Sequence, residues 1–533
     1  MSEQKKIAQR AGVVGFFTLV SRFAGLIRDV AIAHAFGTKL AADAFFVAFR
    51  IPNLLRRLFA EGALTVSFVP VFTQSLRKSH QEAKDVVDVS FSALIVMLTG
   101  VAILGVFFSP WLVHLTAWGF TRDPEKYTLT VYLTRVMFPY ILMVSLAAWA
   151  MGILNSVKHF SSPAASPIFM NLGIILGAFV FTQWFHPPVL GLAIGVLVGG
   201  MMQLGCHFPF LLRFNFWPKF KWDPSHPAVK KILGMMIPAA YGAAVYQFNV
   251  IAITFLASFL PEGSVSYLWY ADRVMEFPLG VFAISLATVI LPTLADHAAD
   301  KNLKALKETF GFGLRMIFFI TLPAAAGLIV LSKQIIRVLF QHGSFSDLST
   351  IATSHALIFF AVGLPFIAGV RITSNAFYSL QDSKTPVRVA NRSVLVNFIL
   401  SLILMWPLKH NGLALAVSLS STFNFMMHLI DFRKKVGPMG LRKIIRGLSK
   451  SVIASVIMMA VLLILQKYSY LLHDGFIGQL ARLVVDMAIG AVLYFLAGFM
   501  MRMEEMHRFM EMMRRKKKTV LPPPPPSDSL VDV

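Results

Sequence analysis

Long apolar runs, each close to the twenty or so residues that cross a bilayer as a helix, succeed one another along the chain with only short polar breaks. The first seven cover Val13 to Phe36, Ala44 to Phe72, Val89 to Trp118, Tyr127 to Leu154, Ala164 to Phe185, Val189 to Leu212 and Ile232 to Leu260. Seven more cover Val265 to Leu294, Phe310 to Leu331, Ile351 to Leu380, Val389 to Trp406, Leu413 to Ile430, Ile444 to Leu465 and Ile477 to Met501. Hydrocarbon offers backbone amides no partner, so runs of this length must satisfy their own hydrogen bonds as helices. The expected fold is an all-α polytopic membrane protein with about 14 transmembrane helices.

Composition agrees with that class. The 533 residues are 56% hydrophobic and 14% charged, with a mean hydropathy of +0.69, whereas soluble domains carry roughly 25% charged residues. The net charge of +23 would suit nucleic acid, but its distribution excludes that reading. One set of alternate loops holds about 31 lysines and arginines and the other about 7, the bias that keeps basic loops in the cytoplasm. Both termini are therefore expected there. Arg22 and Arg28 interrupt the first run and no small-residue cleavage site follows, so a retained helix is expected rather than a signal peptide. A lone Cys206 builds neither a disulfide framework nor a metal cluster. From Arg514 to Val533 a basic run and Pro522 to Pro526 form an expected disordered cytoplasmic tail near anionic lipid.

The chain also repeats itself at an offset of about 222 residues. Ser67 to Lys78 resembles Ala287 to Lys301, with Pro70 facing Pro292; Gly191-Leu192-Ala193 recurs as Gly412-Leu413-Ala414. Between them, FPYILMVSLAAWAMGILNSVKHFSSP, ending at Pro163, resembles LPFIAGVRITSNAFYSLQDSKTP, ending at Pro386. A repeat of six crossings returns the chain to its starting side, so the copies are parallel and related by a pseudo-twofold along the membrane normal. That is the transporter plan of two bundles around a midplane site. The expected parts are six-helix lobes at 1–218 and 219–436, an accessory helix pair at 437–502, and a basic, Pro-rich cytoplasmic tail at 503–533.

Charges inside the runs locate the function, because an ionisable group at bilayer depth costs at least ~2.5 kcal/mol unless it faces a polar cavity or a partner. Arg22, Arg28 and Asp29 stand in the first run, Asp43, Arg50, Arg56, Arg57 and Glu61 in the second, and Asp272, Arg273 and Glu276 in the eighth. At 100° per residue Arg22 and Asp29 fall about 20° apart, and Asp43, Arg50, Arg57 and Glu61 within about 40°. Pro52 can kink the second helix and turn Arg56 into the same cavity. Some of these charges can pair locally, Asp29 with Arg28 and Glu61 with Arg57. Basic groups outnumber acidic ones, however, and an uncompensated cationic cavity is costly without an anionic ligand. Arginine suits such a ligand, since its fork grips phosphate oxygens bidentately and keeps its proton.

LVSRFAGLIRD (Leu19 to Asp29), ADAFFVAFRIPNLLRRLFAEGALTVSFVP (Ala42 to Pro70) and YADRVMEFPLG (Tyr270 to Gly280) resemble the signature segments of the MurJ (MviN) lipid II flippases, within the multidrug/oligosaccharidyl-lipid/polysaccharide exporter superfamily. The resemblance covers most of the chain and fades in the Pro-rich tail. It implies a non-enzymatic transporter that moves lipid II, the undecaprenyl-diphosphate-linked disaccharide-pentapeptide of peptidoglycan, from the inner to the outer leaflet of the bacterial cytoplasmic membrane. It further implies that Arg22, Arg28, Arg56 and Arg273 meet the diphosphate, with Asp43 and Glu276 as acidic partners. Asp29, Arg57, Glu61 and Asp272, charged residues of the same runs, are the expected supporting groups.

In some relatives a sodium ion sits in the second bundle among carboxylates and carbonyls. Here the seventh run offers Asn249 and Thr254, and Asp382 in QDSKTP is the nearest acidic candidate for a metal; a loop or cap role for Asp382 is favoured. No cofactor is expected, and a monovalent cation or the membrane potential remains as the source of coupling. A transferase acting on lipid-linked sugars would need an acidic or metal constellation that is missing from the sequence. A scaffold would leave the cationic cavity without a purpose. The runner-up is an exporter of another polyprenyl-linked oligosaccharide or of drugs, for which an arginine-rich cavity is less suited.

Overall fold

The computed structural model describes residues 3–56, 64–468, 475–506 and 508, and every regular element among them is helical. The order begins α1 (Glu3–Phe36), α2 (Leu40–Arg56), α3 (Thr65–Lys78), α4 (His80–Phe107), α5 (Ser109–Thr116), α6 (Pro124–Met137) and α7 (Tyr140–Ser156). It continues through α8 (Ser161–Phe179), α9 (Leu190–Gly205), α10 (Phe208–Arg213), α11 (Pro227–Ala257), α12 (Ser264–Pro278) and α13 (Ile284–Ala299). The last are α14 (Leu303–Val330), α15 (Ser332–Phe340), α16 (Asp347–Ser379), α17 (Lys384–Leu408), α18 (His410–Val436), α19 (Leu441–Tyr468) and α20 (Phe476–Met500).

Among the described residues, 11 helical stretches are long and apolar enough to cross a membrane, and the protein is a multi-pass membrane protein. They correspond to the third to sixth and eighth to fourteenth expected runs. The first run lies in α1, where Arg22, Arg28 and Asp29 interrupt it. The second is divided between α2 and α3 by residues outside the description, and α11 contributes an apolar piece of shorter length, Gln247–Ala257.

Local chemistry sets several helix ends. Ser79 accepts the Glu82 amide at 3.0 Å and starts α4. Asp123 accepts the Lys126 amide at 3.2 Å with Pro124 in the first turn of α6. Each satisfies an amide that has no partner within its helix. Pro278 closes α12 in a π turn, Leu279–Ala283, before α13 resumes; lacking an N–H, proline breaks the regular ladder there.

Small residues bring α8 and α9 together. A Cβ on Gly173 would stand 2.3 Å from the Gly199 Cα, and one on Gly195 would stand 2.7 Å from the Gly173 carbonyl. Backbone-to-backbone approach of this kind is how membrane helices associate when lipid is as apolar as their side chains. The repeat leaves a local trace too. At Gly191 an added Cβ would meet Thr182 N at 2.4 Å, and at Gly412 it would meet the Leu404 carbonyl at 2.0 Å. In both copies the glycine abuts the end of the preceding segment.

Contacts divide the chain into two compact units that do not follow its order. The first comprises Met1–Phe277, Leu331–Gly363 and Val387–Asn424, and the second Pro278–Val330, Leu364–Pro386 and Phe425–Val533. The expected boundaries at 218/219 and 436/437 followed sequence likeness, whereas packing assigns parts of α12, α16, α17 and α18 to each unit. In the second unit the expected accessory pair, α19 and α20, packs on α14. Tyr494 donates to the Phe319 carbonyl at 2.7 Å, and a pair between half-buried Arg315 and buried Glu505 at 2.9 Å ties the segment after α20 to the same helix. The Pro-rich end of the tail lies outside the described residues.

Candidate functional site

The intramembrane charges of α1 and α12 meet within the first unit. Arg28 grips its neighbour Asp29 through Nε at 3.1 Å and Nη2 at 2.8 and 3.0 Å, and its Nη1 donates to Asn171 Oδ1 on α8 at 3.1 Å. Asn171 in turn donates to the Ser21 carbonyl at 3.3 Å, fixing α8 to α1. Arg273 approaches the same Asp29 from α12, Nε to Oδ2 at 3.8 Å, and donates through Nη1 to Glu276 at 2.8 Å. Asp29 is buried while the Glu276 side chain is 46% exposed. The two partners of Arg273 therefore differ: Asp29 is a fixed neighbour, and Glu276 is screened by solvent and exchangeable.

The aromatic face of α12 holds a further cation. Both Arg273 and Arg50 of α2 lie over the Trp269 ring, at 4.7 and 5.3 Å from its centroid, and Arg50 also donates to Thr254 of α11. Arg22 is half-buried and has no hydrogen-bond or ion-pair partner among the described residues. Arg56 donates to Asn53 of its own helix at 2.8 Å. Asp272 directly precedes Arg273 on α12. Arg57 and Glu61 fall outside the described residues.

Asp43, expected as an acidic partner of the site arginines, is held in this structure by Lys126 and the start of α12. It is 1% exposed and accepts four hydrogen bonds: from Lys126 Nζ at 2.7 Å, the Gly263 amide at 2.8 Å, and the Ser266 amide and hydroxyl at 2.9 and 2.6 Å. The amides belong to the start of α12, where a carboxylate meets the positive end of the helix dipole. Gly263 reaches this position with φ +87, in the left-handed region that side chains avoid. Around Asp43 the α1–α2 turn is sewn to α12 and α16. Tyr270 donates to the Gly37 carbonyl at 3.2 Å, Thr38 and Ser349 hydroxyls stand 2.7 Å apart, and the Ser344 amide donates to the His34 carbonyl at 2.8 Å.

The polar positions considered for a cation already have protein partners. Thr254 accepts from Arg50, whose charge opposes a cation there, and Asn249 accepts from Asn397 at 2.6 Å. Among the described residues no group of three or more His, Cys, Asp or Glu could hold a metal ion. Asp382 caps α17, accepting the Thr385 amide at 3.0 Å and hydroxyl at 2.8 Å, and pairs with Lys435 at 2.6 Å. The Lys435 ammonium, with help from Thr385, holds its carboxyl at about 2, well below the usual range.

Sequence reasoning missed Asn171, Trp269 and Lys126 because each looks ordinary on its own helix. It also passed over Arg371, an exposed intramembrane arginine of α16 in the second unit with no hydrogen-bond or ion-pair partner among the described residues. The cost of a charge inside an apolar run was the signal that could have found it.

A sequence model described as "Lipid II flippase MurJ" matches residues 32–508. The "Probable lipid II flippase MurJ" of Buchnera aphidicola subsp. Acyrthosiphon pisum is 38% identical over 78% of this chain and 81% of its own. That of Bdellovibrio bacteriovorus is 34% identical over 95% of this chain and 97% of its own. A solved structure titled "Lipid II flippase MurJ, inward closed conformation" superposes with a TM-score of 0.77 at 28% identity, covering 92% of this chain and 98% of that one. An inward-facing multidrug resistance MATE transporter of the MOP superfamily shares the fold at a TM-score of 0.65 and 14% identity, covering 80% of this chain and 98% of its own. With a family match over most of the chain and the signature charges of α1 and α12 gathered at one place, the chain belongs to the lipid II flippase MurJ family.

Proposed function

We propose that this protein carries lipid II from the inner to the outer leaflet of the bacterial cytoplasmic membrane by alternating access, with both termini in the cytoplasm. It is a transporter and not an enzyme. The observation that carries the reading is the shared carboxylate, Asp29 between Arg28 and Arg273 within apolar helices.

A diphosphate cannot cross hydrocarbon bare, because its charge would lose hydration with nothing in return. Asp29 keeps the two arginines in place when no substrate is bound. A phosphate oxygen pair can then replace Glu276 on the Arg273 fork without disturbing Asp29, and bidentate geometry makes that exchange favourable. Arg22, two turns from Asp29 on the same face of α1, supplies a further cation, and Arg56 extends the path along α2. The hydrogen-bonded seam around Asp43 supports a state closed on the outer side, with the headgroup entering from the cytoplasm. The undecaprenyl tail stays in the bilayer while the headgroup passes.

Depletion of the protein in cells, followed by a leaflet-specific assay of lipid II, tests the direction. Accumulation on the inner leaflet is expected. Accumulation on the outer leaflet, or no accumulation, would contradict the proposal.

A further inference from the structure

Between α10 and α11 the chain runs without a helix, fastened along its length to α4 of the same unit. Asn215 turns with φ +58 and the Phe216 amide donates back to the Leu211 carbonyl at 2.8 Å, which ends α10. Phe216 is 1% exposed and packs against Phe72 and the His80 ring. Lys84 donates to the Trp217 carbonyl at 2.7 Å, the Lys219 amide to Asp88 at 2.8 Å and the Lys221 amide to the Ser92 hydroxyl at 2.6 Å. Three large rings on this fixed backbone are nevertheless left open: Trp217 is 41%, Trp222 52% and Phe220 65% exposed. The nearby acids are already engaged, Asp88 by Lys84 and the Lys219 amide, Asp85 by Lys221, and Asp223 by the Ser225 amide. The Lys219 ammonium and the Arg213 guanidinium, both exposed, have no hydrogen-bond or ion-pair partner among the described residues.

Asp88 is the last charged residue of α4, and an uncharged run follows it to Phe107. A segment fastened at Lys84, Asp88 and Ser92 therefore lies where that helix passes from charged to apolar, the headgroup level of a bilayer. Aromatic rings at this level bury their apolar bodies against the acyl chains, and uncompensated cations beside them attract acidic lipid. We propose that residues 213–222 are a docking site for anionic phospholipid of the inner leaflet. Trp217, Phe220 and Trp222 enter the boundary between headgroups and acyl chains, and Lys219 and Arg213 meet the lipid phosphate. The expected lobe boundary at 218/219 falls inside this segment, so bound lipid anchors the connection between the two sequence repeats. Only the naming of the inner leaflet draws on the proposed orientation; the site itself is independent of the transported substrate.

The test uses full-length protein in phosphatidylcholine vesicles with a rising fraction of brominated phosphatidylglycerol or brominated phosphatidylcholine, whose bromines quench indole fluorescence on contact. The signal of Trp217 and Trp222 is the difference between the parent and a Trp217→Phe/Trp222→Phe variant, which keeps a ring at both positions. Half-quenching of that signal should need roughly tenfold less phosphatidylglycerol than phosphatidylcholine. Lys219→Gln keeps the amide that Asp88 holds and should lower the preference about fivefold, the effect of one surface cation. Asp85→Asn with Lys221→Gln deletes a neutral pair and should leave the preference unchanged. Should the double phenylalanine variant fail to fold, phosphatidylglycerol retained on purification, counted by native mass spectrometry, compares the parent with Lys219→Gln directly. Equal quenching by the two lipids, or a preference that survives Lys219→Gln, would overturn the anionic site. Quenching by neither lipid would show that this face does not meet the bilayer, and a dimer abolished by Phe220→Ser would then assign it to a second copy of the chain.

Discussion

Arg28 and Arg273 share Asp29, yet what they do with their other donors differs. Arg28 spends its fork on Asp29 and Asn171, whereas Arg273 keeps an exchangeable Glu276. Lysine keeps the charge but lacks the planar fork that grips two oxygens in parallel, so Arg28→Lys and Arg273→Lys should each lower transport by about tenfold or more at normal protein levels. The check is the lipid II leaflet assay with immunoblotting, and full transport by both variants would favour simple charge balance. Asp43 belongs to a different argument. Removing it leaves Lys126 buried and uncompensated, which should cost about 3 kcal/mol of stability. Asp43→Ala should therefore melt well below the parent, and adding Lys126→Met should recover most of the loss; a double variant as unstable as the single one would place the cost elsewhere. The arginines were legible in the sequence because charge is conspicuous in an apolar run. The partners of Asp43 were not, since Lys126 and Ser266 lie 83 and 223 residues away and only folding brings them together.

At the scale of elements, continuous apolar runs made most of the helices legible, and the polar interruptions in the first and second runs were what marked them as functional. Pairing of helices was less legible. Nothing in the run of α9 announces that Gly195 touches α8, yet an added Cβ would stand 2.7 Å from the Gly173 carbonyl. Gly195→Val should force α8 and α9 apart at a cost of about 2 kcal/mol or more, read as a lowered melting temperature and reduced yield of monodisperse protein. Normal stability of that variant would show that the seam yields more easily than its geometry implies. Asp382 was legible as a cap from its place in QDSKTP, before a helix whose first turn it now closes.

For the whole molecule, the sequence repeat pointed to two lobes, while packing distributes the later helices between two units that cross those lobes. A repeat records likeness along the chain, and packing records one conformational state, so the two need not coincide. The central claim is that transport requires the seam around Asp43 to part. Thr38 and Ser349 offer the most direct test, because their hydroxyls are 2.7 Å apart and both residues are buried. Cysteines at these positions, in a Cys206→Ser background, put their sulfurs where the two hydroxyls now meet, which makes them the natural pair to oxidise to a disulfide. Lipid II should stay on the inner leaflet while the pair is oxidised and reach the outer leaflet again after reduction. Transport at an undiminished rate with the disulfide formed would contradict the account and favour a fixed groove along which the headgroup slides.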